Sequence, residues 1–417
     1  MLSNLLIIKG MKNINKINAL KVILPFCFTM ILFGCSEFGT PIEIAQENMT
    51  LRQVVGKHYQ NVNFIVGAKV QYDYLTNATL YPVYSSEFIA SAPDSVFSQY
   101  VVYPNLGGGW FGDKYRVFLK DARRQSQFIK ANTAISSLCS NAVKVDNITA
   151  ENMEALLTYY MKTVSVEIEA NKDVIKWMDV VADAITDKQV NGIGYTRSSA
   201  TNTVIYPAGS FLGPVAGTNA IESPWAYLGF ETVSVQGSPF SLPVYIGKAF
   251  SLANQYAPNV KKLFVQNMDV MNPIVWNNVK KTILALRAKG IRVDGLGWKG
   301  SVTMGWEKNI ENQRQLSLLI DWCYLNNVEF YITGLEVKVS SIDNDLDKVS
   351  NTRQEQAETF NSIVQIVTTK AGKGAAGIWF GLFNGQSGNG QTIANLFDIS
   401  GKKTAAYTSV SSILTNK

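Results

Sequence analysis

The chain has 417 residues, 47% of them hydrophobic and 17% charged, with a formal charge of +6. So much apolar side chain with so little charge excludes a disordered chain and is enough for a large core. With one histidine, His58 near the start of the domain, a histidine-based triad elsewhere and a multi-histidine metal site are excluded by count.

The first element is a processing signal. From Met11, a better start than Met1, the sequence reads MKNINKINALKVILPFCFTMILFGC, with Lys12, Lys16 and Lys21 as a positive n-region and Val22 to Phe33 as an apolar run of 12 residues. That run is short for a permanent span and suits a signal h-region. It ends at Leu32-Phe33-Gly34-Cys35, which resembles the lipobox of bacterial lipoproteins. The resemblance implies a lipid on Cys35 and a place in the bacterial cell envelope, anchored at the outer membrane; a plain secretory signal with an incidental cysteine is the other reading. Residues 1–34 are then the signal, 35–50 a polar tether and 51–417 the folded domain. Removing residues 1–34 takes away four lysines and no acid, leaving 34 basic against 32 acidic residues and a net charge of +2. The basic character belongs largely to the signal, and no nucleic-acid footprint is left. Cys27 lies in the signal, so Cys139 and Cys323 remain in the domain, as one disulfide or as two buried thiols.

From Leu51 onward, apolar runs of strand length alternate with segments of helical period. NFIVGAKVQ (63–71), FIKANTAIS (128–136) and VIKWMDVVA (174–182) read as strands, with helices near 112–127 and 150–170. A helix near 244–256 precedes KLFVQN (262–267), a helix over 276–290 precedes IRVDGLGW (291–298), and a helix over 311–327 precedes VEFYITGLEV (328–337). A helix over 356–372 then leads to AAGIWFGLF (375–383), and KKTAAYTSVSSIL closes the chain. Such alternation predicts an α/β architecture with a parallel sheet, closed as a (β/α)8 TIM barrel. Asn191 to Ser241, rich in Gly, Ser, Thr and Pro, reads as a long loop on the side where a barrel builds its site. GGGWFG (107–112) lacks the Lys-Ser/Thr of a phosphate loop and reads as a flexible surface loop.

Four ordered stretches resemble glycoside hydrolase family 10, the barrel-fold endo-β-1,4-xylanases. WMDVVADAITD (177–187) is similar to the family's W-D-V-V-N-E-A-I, KGIRVDGLGWKGS (289–301) to K-G-V-P-I-D-G-I-G-x-Q-x-H, YITGLEV (331–337) to I-T-E-L-D-V, and NLFDISGKKTAAYTSV (395–410) to the closing L-L-F-D-x-D-G-x-P-K-P-A-Y. The resemblance implies the barrel, β-linked glycans as ligands and no cofactor. It also places the acid/base at Asp183 and the nucleophile at Gly334, with Lys299 and Ser301 where the family has glutamine and histidine. IKANTAISS (129–137) matches the third strand loosely, with Asn132 and Ser137 in place of histidines, and WFGLFNGQSG (379–388) puts Phe380, Asn384 and Gly388 at family Trp, Asp and Trp positions.

A retaining glycosidase needs two carboxyl groups about 5–5.5 Å apart, and glycine cannot attack a sugar. Glu336 shares a strand face with position 334 but stands roughly 6.6 Å further along. It is either the partner of Asp183 in an inverting pair or, matching the family's neighbouring Asp, part of a local hydrogen-bond network. Binding outlasts catalysis more easily, because sugar faces stack on aromatic rings and hydroxyls bond to amides, lysines and carboxylates. Asn132, Asp183, Asn267, Trp298, Lys299 and Asn384 are the expected ligand-binding residues, and Trp110, Trp225 and Trp306 stand in loops. Trp298 is read as a sugar platform or as a cap on the barrel core, and Trp177 and Trp322 as core. The expected function is a glycan-binding lipoprotein with impaired or absent hydrolysis. The alternatives are an active endo-xylanase-like hydrolase and a purely structural partner in a membrane complex. The expected partners are a polysaccharide or oligosaccharide, the membrane through the lipid anchor, and other glycan-uptake proteins.

Overall fold

The computed structural model describes residues 49–104, 107–136, 149–185, 225, 228–267, 269–339, 346–382, 392–393, 396–398 and 400–416. Cys35, Cys139 and Asn384 lie outside them. A compact unit runs from Thr50 to Lys417. Its elements in chain order are α1 (Leu51–His58), β1 (Ile65–Val70), α2 (Leu80–Glu87), β2 (Ala90–Pro93), α3 (Gln99–Val102), α4 (Asp113–Gln125), β3 (Phe128–Ile135), α5 (Ala150–Ala170) and β4 (Ile175–Ala182). There follow β5 (Phe230–Val235), β6 (Ser238–Pro243), α6 (Val244–Tyr256), β7 (Lys261–Gln266), α7 (Pro273–Ala288), β8 (Gly295–Trp298), β9 (Ser301–Thr303) and α8 (Ile310–Leu325). The chain ends through β10 (Glu329–Val339), α9 (Leu346–Thr369), β11 (Ala375–Leu382), β12 (Thr392–Ile393) and α10 (Ala405–Thr415).

Eight parallel strands pair in the order β11, β1, β2, β3, β4, β7, β8, β10, and β10 returns to β11. The sheet is therefore closed, as the alternation predicts. Helix starts carry the caps their sequences offer. Thr50 and Gln53 form a reciprocal capping box on α1, Thr149 accepts from Asn152 N on α5, and Asn272 caps α7 with Pro273 in its first turn.

Three expectations change. β2, ASAP, is a barrel strand that the sequence reading passed over: it is short, carries Pro93 and lacks β-branched residues. Residues 230–241 of the expected long loop belong to the antiparallel hairpin β5–β6, which runs on to Pro243. The 107–112 loop is tied down: Gly107 N donates to Tyr103 OH at 2.7 Å, Phe111 N to Val102 O at 2.8 Å and Trp110 Nε1 to Tyr115 OH at 3.1 Å.

The lower barrel is filled by aromatic rings. Trp177 and Trp379 meet edge to face at 5.1 Å, Tyr331 lies 5.6 Å from Trp379, and Trp177 Nε1 donates to Tyr331 OH at 3.0 Å. Gly67 makes room for them, since a Cβ there would lie 2.4 Å from the Trp379 indole. At the strands' N-terminal edge, buried Glu87 accepts from Leu51 N at 2.9 Å and Tyr407 OH at 2.8 Å. Arg52 donates to the carbonyls of Gln125 and Ser126, so α1 is bolted to the base. Cys323 is a buried free thiol whose burial pushes its ionisation up.

Candidate functional site

The C-terminal ends of the barrel strands enclose a cavity of about 570 Å³. β3 brings Lys130 and Asn132 to it, β4 brings Asp179 and Ala182, and Asp183, Asn267 and Lys299 directly follow β4, β7 and β8. β10 contributes Thr333, Gly334, Glu336 and Lys338. The pairing of β10 with β11 breaks register between Ile332 and Leu335, and a break of this kind re-aims the alternation of side chains. Thr333 faces inward by alternation with Tyr331, and the break is why Gly334, Glu336 and Lys338 face the same space. Asn132, Asp183, Asn267, Lys299, Gly334 and Glu336, named from the sequence, thus meet at one place.

Four lysines and four carboxylates line this cavity: Lys69, Lys130, Lys299 and Lys338 with Asp94, Asp179, Asp183 and Glu336. Three pairs neutralise each other. Lys130 and Asp179 form a buried ion pair with Lys130 poised over the Trp379 ring, Lys69 lies 3.4 Å from Asp94, and Lys299 bonds to Asp183. Asp183 has a positive φ of 53°, a conformation that aspartate and asparagine adopt more readily than most residues other than glycine. Its backbone N donates to Val265 O at 3.0 Å; its Oδ1 accepts from Asn267 N at 2.8 Å and its Oδ2 from Lys299 Nζ. Both carboxylate oxygens are occupied by donors, which hold the side chain in one orientation.

Gly334 carries no nucleophile, and open space stands where one would project: a Cβ there would find only Lys299 O, at 3.5 Å. The Glu336 side chain lies over Gly381, filling the volume that a side chain on β11 would need. Among the described residues its carboxylate has no hydrogen-bond or ion-pair partner. Glycosyl transfer to an enzyme carboxylate has no acceptor at 334, and Asp183 is committed to its neighbours.

Trp298 departs from the expected platform. It is only 1% exposed and packs 6.2 Å from Trp306. It borders a neighbouring cavity of about 350 Å³ rather than the central one. Trp225, expected as a loop ring, is buried and donates from Nε1 to Ser136 O at 2.8 Å. Tyr100 is the only aromatic residue among the described lining of the central cavity. Sequence reasoning missed Lys69, Asp94, Tyr100, Lys130, Thr333 and Lys338. For Lys130 a signal existed, because it stands two residues from Asn132 on the same strand. No group of three or more His, Cys, Asp or Glu suited to a metal occurs among the described residues, and no described helix is long and apolar enough to cross a membrane.

The family model for glycosyl hydrolase family 10 matches residues 235–413. Endo-1,4-beta-xylanase A of Caldicellulosiruptor sp. (strain Rt8B.4) is 23% identical over 292 residues, 68% of this chain and 36% of that protein; the chain thus spans about a third of that relative's length. Native xylanase10C of Cellvibrio japonicus superposes with a TM-score of 0.70 at 16% identity, covering 91% of this chain and 75% of the other. Xylanase 10B of Thermotoga petrophila RKU-1 in complex with xylobiose gives 0.64 at 18% identity, covering 88% and 97%. The fold shared with these enzymes is the (β/α)8 barrel.

Proposed function

We propose that this chain is a divergent relative of glycoside hydrolase family 10 that binds a β-linked oligosaccharide or polysaccharide in its barrel mouth without hydrolysing it. The observation that carries the reading is Gly334, which faces the cavity at the position the resemblance gives to the nucleophile. Asp183 supports it, since Lys299 and Asn267 take up both of its oxygens. A 570 Å³ cavity furnished with amides, hydroxyls and paired charges is suited to polyhydroxylated ligands, and a structural neighbour's bound xylobiose makes xylo-oligosaccharides the first to test. The experiment is a chromatographic time course of the protein with xylan, mannan, glucan and host oligosaccharides, followed by binding titrations on the same panel. Saturable binding with no shortened product is expected.

One observation favours hydrolysis as a second reading: Glu336 lines the same cavity as Asp183, and among the described residues its carboxylate has no partner, which leaves it open to act as the base of an inverting pair. Products that disappear in both Asp183→Ala and Glu336→Gln would establish it. We further propose that the protein is held to the bacterial outer membrane through a lipid on Cys35, beside other glycan-uptake proteins. Labelling with a radioactive fatty acid should mark the wild type and spare Cys35→Ser.

A further inference from the structure

Six of the charged side chains that line the central cavity are paired with one another: Lys69 with Asp94, Lys130 with Asp179 and Lys299 with Asp183. Glu336 and Lys338 line the same cavity, and among the described residues neither has a hydrogen-bond or ion-pair partner. Both are partly exposed rather than buried, so a ligand in the cavity can touch them. They stand two residues apart on one face of β10, roughly 6.6 Å along the strand. Opposite charges so placed could close on each other, but the Glu336 side chain lies instead over Gly381 of β11, in the volume a Cβ there would need. The absent side chain of Gly381 gives the carboxylate a resting place away from the lysine, and the two charges face the cavity separately.

We propose that Glu336 and Lys338 together hold one sugar residue of the ligand, the carboxylate accepting from its hydroxyls and the ammonium donating to a neighbouring hydroxyl oxygen. This rests on the glycan-binding reading and names the two residues that recognise the sugar within it. A hydroxyl suits both partners, because it donates to a carboxylate and accepts from an ammonium, and hydrogen bonds to charged groups are the stronger kind. Tyr100 is the only aromatic residue on the described lining, so ring stacking has one site there and polar contacts carry the recognition. A sugar with adjacent hydroxyls bridges the two charges that the strand holds apart, whereas an apolar ligand would strip both of water and leave them unpaired.

The test is calorimetric titration of the wild type, Glu336→Gln, Lys338→Met and the double variant with xylopentaose, mannopentaose and cellopentaose, with thermal unfolding of each variant as the check on folding. On the sugar that the wild type binds, each single variant should bind about tenfold or more weakly, while its unfolding stays close to that of the wild type. The double variant should lose less than the product of the two single losses, because a sugar released from one charge no longer sits against the other. Single variants that bind like wild type, or losses that multiply in full, would overturn the shared contact and leave glycan binding standing. Product formation that disappears in Glu336→Gln while binding stays as tight as in wild type would also overturn it, since the carboxylate would then serve chemistry. A wild type that binds none of the three sugars would overturn the glycan-binding reading and this inference with it.

Discussion

In the lower barrel, Trp177, Tyr331 and Trp379 pack ring against ring with their polar atoms turned on one another; at the upper ends of the same strands, lysines face carboxylates around a cavity. The lower layer fills space and is held by shape. The upper layer leaves space and is held by charge, with Lys130 over the Trp379 ring as the seam between them. Shape is needed for the chain to fold at all, while charge pairs at a wet rim can be exchanged without losing the barrel. A site can therefore change its residues completely above a foundation that does not move.

The largest effects should come from breaking the foundation. Trp379→Ala opens a void among fully buried rings and should cost about 3–5 kcal/mol in urea unfolding. Lys130→Ala should cost a similar ~3–5 kcal/mol, because it strands the buried Asp179 carboxylate. Lys299→Ala, at the half-exposed rim, should cost less than about 1 kcal/mol. Equal losses at rim and floor would break the comparison between the two layers.

A medium effect tests the foundation's one costly feature. Lys262 on β7 is fully buried and donates to the carbonyls of Ala257 and Val260. Desolvation lowers its pKa to about 8, with Arg292 nearby adding to the shift. The unfolded lysine titrates near 10.4, so between about pH 8 and 10 the unfolded state binds more protons and stability rises with pH. The contribution is lost as pH falls through about 8, and its full size is on the order of 3 kcal/mol. Above pH 10 the trend reverses, since burial raises the ionisation of Tyr160 and Tyr331 in the folded state. The difference between wild-type and Lys262→Met unfolding curves should shrink steadily from pH 8 to pH 10; a constant difference would mean that the lysine keeps its ordinary pKa.

How much of this was legible follows the same division. Strands such as VIKWMDVVA and helices such as Ala150–Ala170 were readable because burial imposes a period on apolar residues. β2 was not, because four residues without a branched side chain carry no period. The β5–β6 hairpin had a signal that went unused: Gln236 and Gly237, both at positive φ, form the two-residue turn that such hairpins favour. In the site, Asp183, Gly334 and Glu336 could be found because the framework around them matches a known pattern. Thr333 was passed over although strand alternation from Tyr331 turns it inward; what alternation alone did not show is the register break that brings Gly334 and Glu336 to the same space. For Trp298 the sequence left a sugar platform and a core cap open, because a strand end does not reveal which way a ring folds; the ring is buried and turns to Trp306.

The smallest expected effect sharpens the reading of the mouth. Asp183→Asn retains an oxygen to accept from Asn267 N, and asparagine tolerates the positive φ at this position. What it loses is the ion pair with Lys299, whose partners are 33% and 39% exposed; exposed pairs of this kind contribute about 0.2–1 kcal/mol. Stability should therefore fall by at most about 1 kcal/mol, and less as salt is raised. If Asp183 is a brace, xylopentaose binding should change little, because the loop ends it ties together stay tied. If it is a general acid, the same substitution removes the proton donor, and any turnover should drop by about 10²–10⁴-fold with binding intact. One conservative change thus separates a carboxylate kept for its geometry from one kept for its proton, which unfolding measurements on the foundation cannot do.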